Sequence, residues 1–294
     1  MYLLDKVWGL EPPRLVITVH GGITNFEVQD KLGRVFREGL LKAAQTTGAW
    51  IITAGIDAGV VRHVATALDE AGISARMRSK VVTIGIAPWG LLKRRERLIG
   101  KDIVVPYDPH SFSSKNKYAT LNDRHSYFLL VDNGTCGRYG ADIILRKRFE
   151  EFIAQKQTIG LGTRHVPVVC AVLEGGTCTI RAILQYLKNE PPVPVIVCDG
   201  SGRASDLIAF AHRHVSDDGS LPDEIRTQLL TLIASVFRHS TTPPAQILEE
   251  VLCCTKRRDL VGYCRALTVF RLGENKKQDV DHAILSAMLK GQNL

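Results

Sequence analysis

Short apolar runs alternate with helical patterns along most of the chain. "RLVITVH" (14–20) is a β-branched run ending at Gly21-Gly22, after which Val28, Leu32, Val35, Phe36, Gly39, Leu40 and Ala43 recur at helical spacing. That predicts one strand followed by one helix. "AWIIT" (49–53) stops at Ala54-Gly55 and is followed by a helical face of Val60, Val61, Val64, Leu68 and Ala71. "KVVTIGIA" (80–87), closed by Pro88 and Gly90, predicts a third strand, and from there to Arg124 the chain is a polar, weakly periodic excursion. "YFLLVDNG" (127–134) resumes as a fourth strand, with a charged helix from about Ala141 to Gln157. "VPVVCAVLEGG" (166–176) is a fifth, its helix carrying Ile180, Ile183, Leu184 and Leu187 on one face, and "PVPVIVCDG" (192–200) is a sixth. Strands that are apolar at every position, not at every second one, are those covered on both sides. The pattern therefore predicts an α/β, Rossmann-like fold with a mostly parallel sheet and helices on both faces.

After Val215 the style changes. Ser220, Pro222 and Asp223 read as a helix start, with Ile225, Leu229, Leu232, Ile233 and Val236 behind it. Pro243-Pro244 precedes another helix, "LTVFRL" (267–272) reads as a short extended piece, and Val280, Ile284, Ala287 and Met288 begin a last helix. The α/β domain is placed at 12–215 and a smaller helical extension at 216–294.

Composition narrows the class. Hydrophobic residues are 45% and charged residues 23%, ordinary for a soluble domain, and no stretch approaches the roughly 20 apolar residues of a membrane span. Asp5 precedes any long apolar region, so the start lacks the order of a secretory signal. Seven cysteines are an odd number, two of them (Cys170, Cys198) lie in apolar runs, and no CxxC pair offers metal spacing. A reducing, cytosolic face and no bound metal are expected. The net charge of +8 favours a partner carrying phosphate or carboxylate. "KRRER" (93–97) is short and contains Glu96, so it reads as a solvated face, not a nucleic-acid tract.

In an open α/β sheet, ligands bind beyond the carboxyl ends of the strands, and here those ends are rich in glycine: Gly21 and Gly22, Gly55, Gly134, Gly200 and Gly202. Glycine lets backbone N–H groups approach a ligand, and helix N-termini attract anions. Gly200, Ser201 and Gly202 would form a cradle for a phosphate, with Arg203 pairing to it; the bland alternative is an ordinary turn with Arg203 in solvent. In "VDNGTCGRYGADIILRKRFEEF" (131–152), Gly134 and Thr135 offer donors, Tyr139 a flat surface for a base, and Arg146 a reach back from the helix. The alternatives there are core packing for Tyr139 and an i,i+4 salt bridge with Glu150 for Arg146. His20 is a lining residue, and Asn25 serves the turn. There is no triad, HExxH, Walker A lysine or GxGxxG, which disfavours peptide or nucleoside-triphosphate hydrolysis.

"PRLVITVHGGITNF", "KAAQTTGAWIITAG", "IGIAPWG", "FLLVDNGTCGRYGADI" and "CDGSGRASDLI" resemble the amino-terminal cytosolic homology region of melastatin-type TRP cation channels, the TRPM family, over about 12–215. "LTVFRLGENKKQDVDHAILSAMLKG" resembles the link into that family's next helical region. The resemblance implies a SLOG-like domain, related to nucleotide-binding phosphoribohydrolases. It further implies a protomer of a homotetrameric calcium- or magnesium-permeable channel, on the cytoplasmic face of the plasma membrane, with its membrane spans downstream and no cofactor. In members that sense ADP-ribose, the ligand contacts correspond by position to Gly21, Gly22, Gly134, Thr135, Tyr139, Arg146 and Arg203. One departure is Ala54-Gly55, where many members have Gly-Gly. Two other functions remain beside the sensor: a nucleoside-monophosphate phosphoribohydrolase, and an assembly scaffold without ligand. The related hydrolases carry Gly-Gly-x-Gly-Thr-x-x-Glu, whereas Gly134-Thr135 here is followed by Cys136, Gly137 and Arg138, with no glutamate.

Overall fold

The structure, a computed structural model, describes residues 2–70, 81–107, 118–156, 158–159, 164–216, 220–255, 266–272 and 280–292. Ala71, Lys80 and Gln157, which fall within predicted elements, lie outside the described residues, as does Cys264, one of the seven cysteines. In chain order the strands are β1 (Val16–Gly21), β2 (Trp50–Thr53), β3 (Val82–Pro88), β4 (Tyr127–Val131), a small antiparallel hairpin of β5 (Thr158–Ile159) and β6 (Arg164–His165), then β7 (Val168–Leu173), β8 (Val195–Cys198) and β9 (Leu267–Phe270). The helices are α1 (Asp30–Thr47), α2 (Val60–Glu70), α3 (Asp142–Lys156), α4 (Thr177–Leu187), α5 (Arg203–His214), α6 (Asp223–Val236), α7 (Pro244–Thr255) and α8 (Val280–Gln292).

Seven strands share one sheet in the order β4-β3-β2-β1-β7-β8-β9, and every neighbouring pair is parallel. The continuous apolar runs follow from this, because helices cover both faces. On one face α1, α2 and α8 pack over Ile17, Val19, Ile51, Ala171 and Ile196. On the other, Ile153 of α3 lies over Val16, Ile52 and Ile84, while α4 to α7 lie over Cys170, Val172, Val195 and Val197. The chain leaves β1 towards β2, β3 and β4, then returns to β7 on the opposite side of β1. The switch point of the sheet therefore falls between β1 and β7, where a doubly wound fold opens its crevice.

The segment expected as a helical extension does more than extend. It supplies α6 and α7, but β9 pairs in parallel with β8 from Val195↔Leu267 to Cys198↔Phe270. Helix α8 packs against α1, where a Cβ on Gly39 would lie only 2.6 Å from the Val280 Cβ. "LTVFRL" thus completes the sheet, and a boundary at 215/216 would divide one core between two units.

Candidate functional site

A cavity of about 370 Å³ opens at the carboxyl ends of β1 and β2, beside the switch point, between α2, α3 and α4. That lies within the roughly 300–1,000 Å³ of small-molecule pockets. Its walls are largely apolar, with Ala54, Ile56, Val60 and Ile143 among them; its polar lining includes His20, Tyr139, Asp142, Arg146, Thr179 and Tyr186, with Lys147, Arg181 and Gln185 also on it.

The polar floor is built from residues far apart in sequence. Side chains alternate across a strand, so Thr18 and His20 share the face of β1 that α3 covers. Four residues apart on α3, Arg146 and Glu150 share one face of that helix. Thr18 donates its hydroxyl proton to Glu150 Oε1 at 2.5 Å, and the Tyr186 hydroxyl of α4 donates to Glu150 Oε2 at 2.6 Å. Arg146 donates through Nε to Glu150 Oε1 at 3.2 Å, and through Nη2 to Thr18 Oγ1 at 2.6 Å, Val19 O at 2.8 Å and Ile52 O at 3.0 Å. Two carbonyls at the ends of β1 and β2 are thereby satisfied by one guanidinium. Among the described residues Nη1 has no acceptor, and Arg146 lines the cavity although only 5% exposed. Arg146 thus makes the i,i+4 salt bridge with Glu150 and also lines the cavity.

Burial, reinforced by the Arg146 charge, holds the His20 imidazole well below its ordinary pKa, so the ring is neutral at neutral pH. Burial and then the neighbouring Glu150 push the Tyr186 phenol well above its usual value. Burial also raises Asp142, and burial together with Asp142 raises Tyr139. A neutral ring, a protonated phenol and one incompletely engaged guanidinium equip this cavity for hydrogen bonding.

Of the residues singled out from the sequence, Gly21, Gly22, Tyr139 and Arg146 line the cavity, as does His20. At Gly21 a Cβ would stand 2.1 Å from Leu173 O, so glycine lets β1 and β7 stay in register at the switch point. Asn25 Oδ1 accepts from Gly59 N at 3.0 Å, the turn-holding role expected of it.

The other predicted residues stand outside the lining, each for a local reason. Gly134 N donates to Asp132 Oδ1 at 2.9 Å, and Thr135 bonds Asn133 Oδ1 through N at 3.1 Å and Oγ1 at 2.6 Å, so this loop satisfies its own donors. Gly200 N and Gly202 N both donate to Asp206 Oδ1, at 2.8 and 3.0 Å, and the Ser201 hydroxyl donates to Cys198 O at 2.6 Å. A carboxylate of the same helix thus fills the expected phosphate cradle. Arg203 Nη1 lies 3.7 Å from Glu174 Oε1, and its guanidinium stacks 5.3 Å from the Phe237 ring centre. Glu174 in turn leans on Gly22, where a Cβ would lie 1.9 Å from Oε2, so Arg203 is one carboxylate removed from the cavity. Arg138, standing where the hydrolases have glutamate, is exposed.

Gly55 serves packing. It adopts φ +67°, and a Cβ there would lie 2.7 Å from the Gly85 Cα. Gly55→Ala is expected to destabilise the chain by about 2 kcal/mol through left-handed strain and this contact, read as a lower urea midpoint at unchanged m. Glu150, Thr18, Tyr186, Asp142 and Glu174 were not singled out as site residues from the sequence. Thr18 carried a signal in being the one hydroxyl inside "LVITV", a run otherwise buried on both faces.

A family model described as "SLOG in TRPM" matches residues 1–254. The chain is 61% identical over 294 residues to a Transient receptor potential channel of Caenorhabditis elegans and 47% identical over 294 residues to Transient receptor potential cation channel subfamily M member 1 of Mus musculus. It is 42% identical over 293 residues to Transient receptor potential cation channel subfamily M member 7 of Homo sapiens. Each match covers 100% of this chain but only 14%, 18% and 15% of the respective relative. Among the described residues no helix is long and apolar enough to cross a membrane.

Proposed function

The chain belongs to the family of SLOG regions of TRPM channels, and on that premise we propose that it is the regulatory and assembly region of a calcium- or magnesium-permeable cation channel whose β1–β2 cavity senses ADP-ribose or a related adenine nucleotide. The region acts by binding, without a chemical step, and works within a homotetramer on the cytoplasmic side of the membrane. The observation that carries this reading is Arg146, buried, fixed by four hydrogen-bonded partners, and keeping Nη1 unpartnered among the described residues at a cavity of nucleotide scale. A charge-assisted bond from that atom to a phosphate or ribose oxygen would be made without reorganising the guanidinium. Tyr139, 44% exposed at the mouth, offers the ring on which a base would stack. Binding shifts a two-state channel only by its difference in affinity for the two states, so the cavity must alter shape between them.

Calorimetric titration of the chain with ADP-ribose is expected to give saturable one-to-one binding, weakened about ten-fold by Tyr139→Ala. Absence of binding heat for ADP-ribose, AMP and ADP alike would leave an assembly scaffold.

A further inference from the structure

Resting on the reading of the cavity as a nucleotide site, we infer that His20 Nδ1 is a fixed hydrogen-bond acceptor, so that the cavity selects ligands presenting a hydroxyl or amino hydrogen to it while Arg146 holds an oxygen. Counting hydroxyl protons fixes the tautomer. A Thr or Tyr hydroxyl carries one proton. That of Thr18 is committed to Glu150 Oε1 and that of Tyr186 to Glu150 Oε2. His20 Nε2 lies 3.0 Å from the Tyr186 hydroxyl oxygen and 3.4 Å from Thr18 Oγ1. Both oxygens can then only accept from it, so Nε2 carries the proton of the neutral ring. Nδ1 is left with a bare lone pair, and among the described residues nothing donates to it, although the residue lines the cavity. Glu150 therefore sets the histidine tautomer through two hydrogen bonds in series, by way of the Tyr186 and Thr18 hydroxyls.

The consequence is selectivity by chemical class. A lone pair fixed in a largely apolar wall repels an oxyanion and is left unsatisfied by an apolar group, and a buried polar group without a partner penalises the wrong ligand. A phosphodiester, which carries no hydroxyl hydrogen, satisfies Arg146 but not His20. A nucleotide with ribose hydroxyls or an exocyclic amine satisfies both. Because burial and Arg146 disfavour the imidazolium, the acceptor persists at physiological pH.

The tautomer can be read without any ligand. Long-range proton–nitrogen NMR correlation on ¹⁵N-histidine-labelled chain, with His20 identified by contact to the Tyr186 ring 5.3 Å away, is expected to show the proton on Nε2. A proton on Nδ1 would overturn the inference whatever the cavity binds. ADP-ribose calorimetry on two variants supplies the second arm. His20→Asn keeps an acceptor near the Nδ1 position and is expected to bind within about two-fold of wild type. His20→Gln reaches the Nε2 position only and is expected to bind roughly three- to ten-fold more weakly. Equal affinities for the two variants would also overturn the inference. An Nε2 proton with no ADP-ribose binding by wild type would instead overturn the nucleotide reading and leave the acceptor standing.

Discussion

Glu150→Ala is expected to lower the unfolding free energy by about 3–5 kcal/mol, the range for removing one partner of a buried ion pair. Glu150 and Arg146 have side chains only 3% and 6% exposed, so water cannot replace the missing carboxylate. The variant strands the Arg146 charge and leaves the Thr18 and Tyr186 hydroxyls without their acceptor. Glu150→Gln should cost less, because its amide oxygen still accepts on one side, although the charge is lost and its amino group cannot accept from the second hydroxyl. The diagnostic measurement is a double-mutant cycle with Arg146→Met, read by urea unfolding at constant m. The double variant should be more stable than the sum of the two single losses, since apolar replacement of both partners removes the stranded charge. Additive losses, or a Glu150→Ala cost below about 1 kcal/mol, would show that the network does not act as a unit.

How much of this was legible in the residues depended on distance along the chain. Six strands of the sheet were readable from their apolar runs, as in "VPVVCAVL"; β9 read only as a short extended piece, and its pairing with β8 places it in the same sheet. Glycine clusters located the end of the sheet where the cavity opens but not which loops reach it. The loops at Gly134 and Gly200 stand outside the lining, and Asp132, Asn133 and Asp206 already occupy their amides. A hint lay in the sequence, since Asp and Asn beside glycine commonly bond the local backbone. The floor itself was not legible, because residues 18, 20, 146, 150 and 186 meet only through the fold, and the single local trace of it is the four-residue spacing of Arg146 and Glu150. The salt bridge that this spacing allows is made, and it leaves Nη1 of the same arginine without an acceptor among the described residues.

Arg146→Lys is expected to weaken ADP-ribose binding by roughly 30- to 100-fold, about 2–3 kcal/mol. The charge is retained, but the fork is not. Lysine cannot bond Thr18, Val19 O, Ile52 O and a ligand oxygen together, so its ammonium is drawn either to the floor or to the ligand. Arg203→Ala, by contrast, is expected to change affinity less than about three-fold, because Arg203 is held at Glu174 and Phe237, outside the lining. Both affinities should be measured where thermal unfolding shows each variant folded, so that lost binding is separated from lost stability. The reverse ranking, with Arg203→Ala abolishing binding and Arg146→Lys sparing it, would move the site to the Gly200–Arg203 turn. The ligand phosphate would then have to displace Asp206 from the Gly200 and Gly202 amides and Glu174 from Arg203, and the β1–β2 cavity would be left as a packing void.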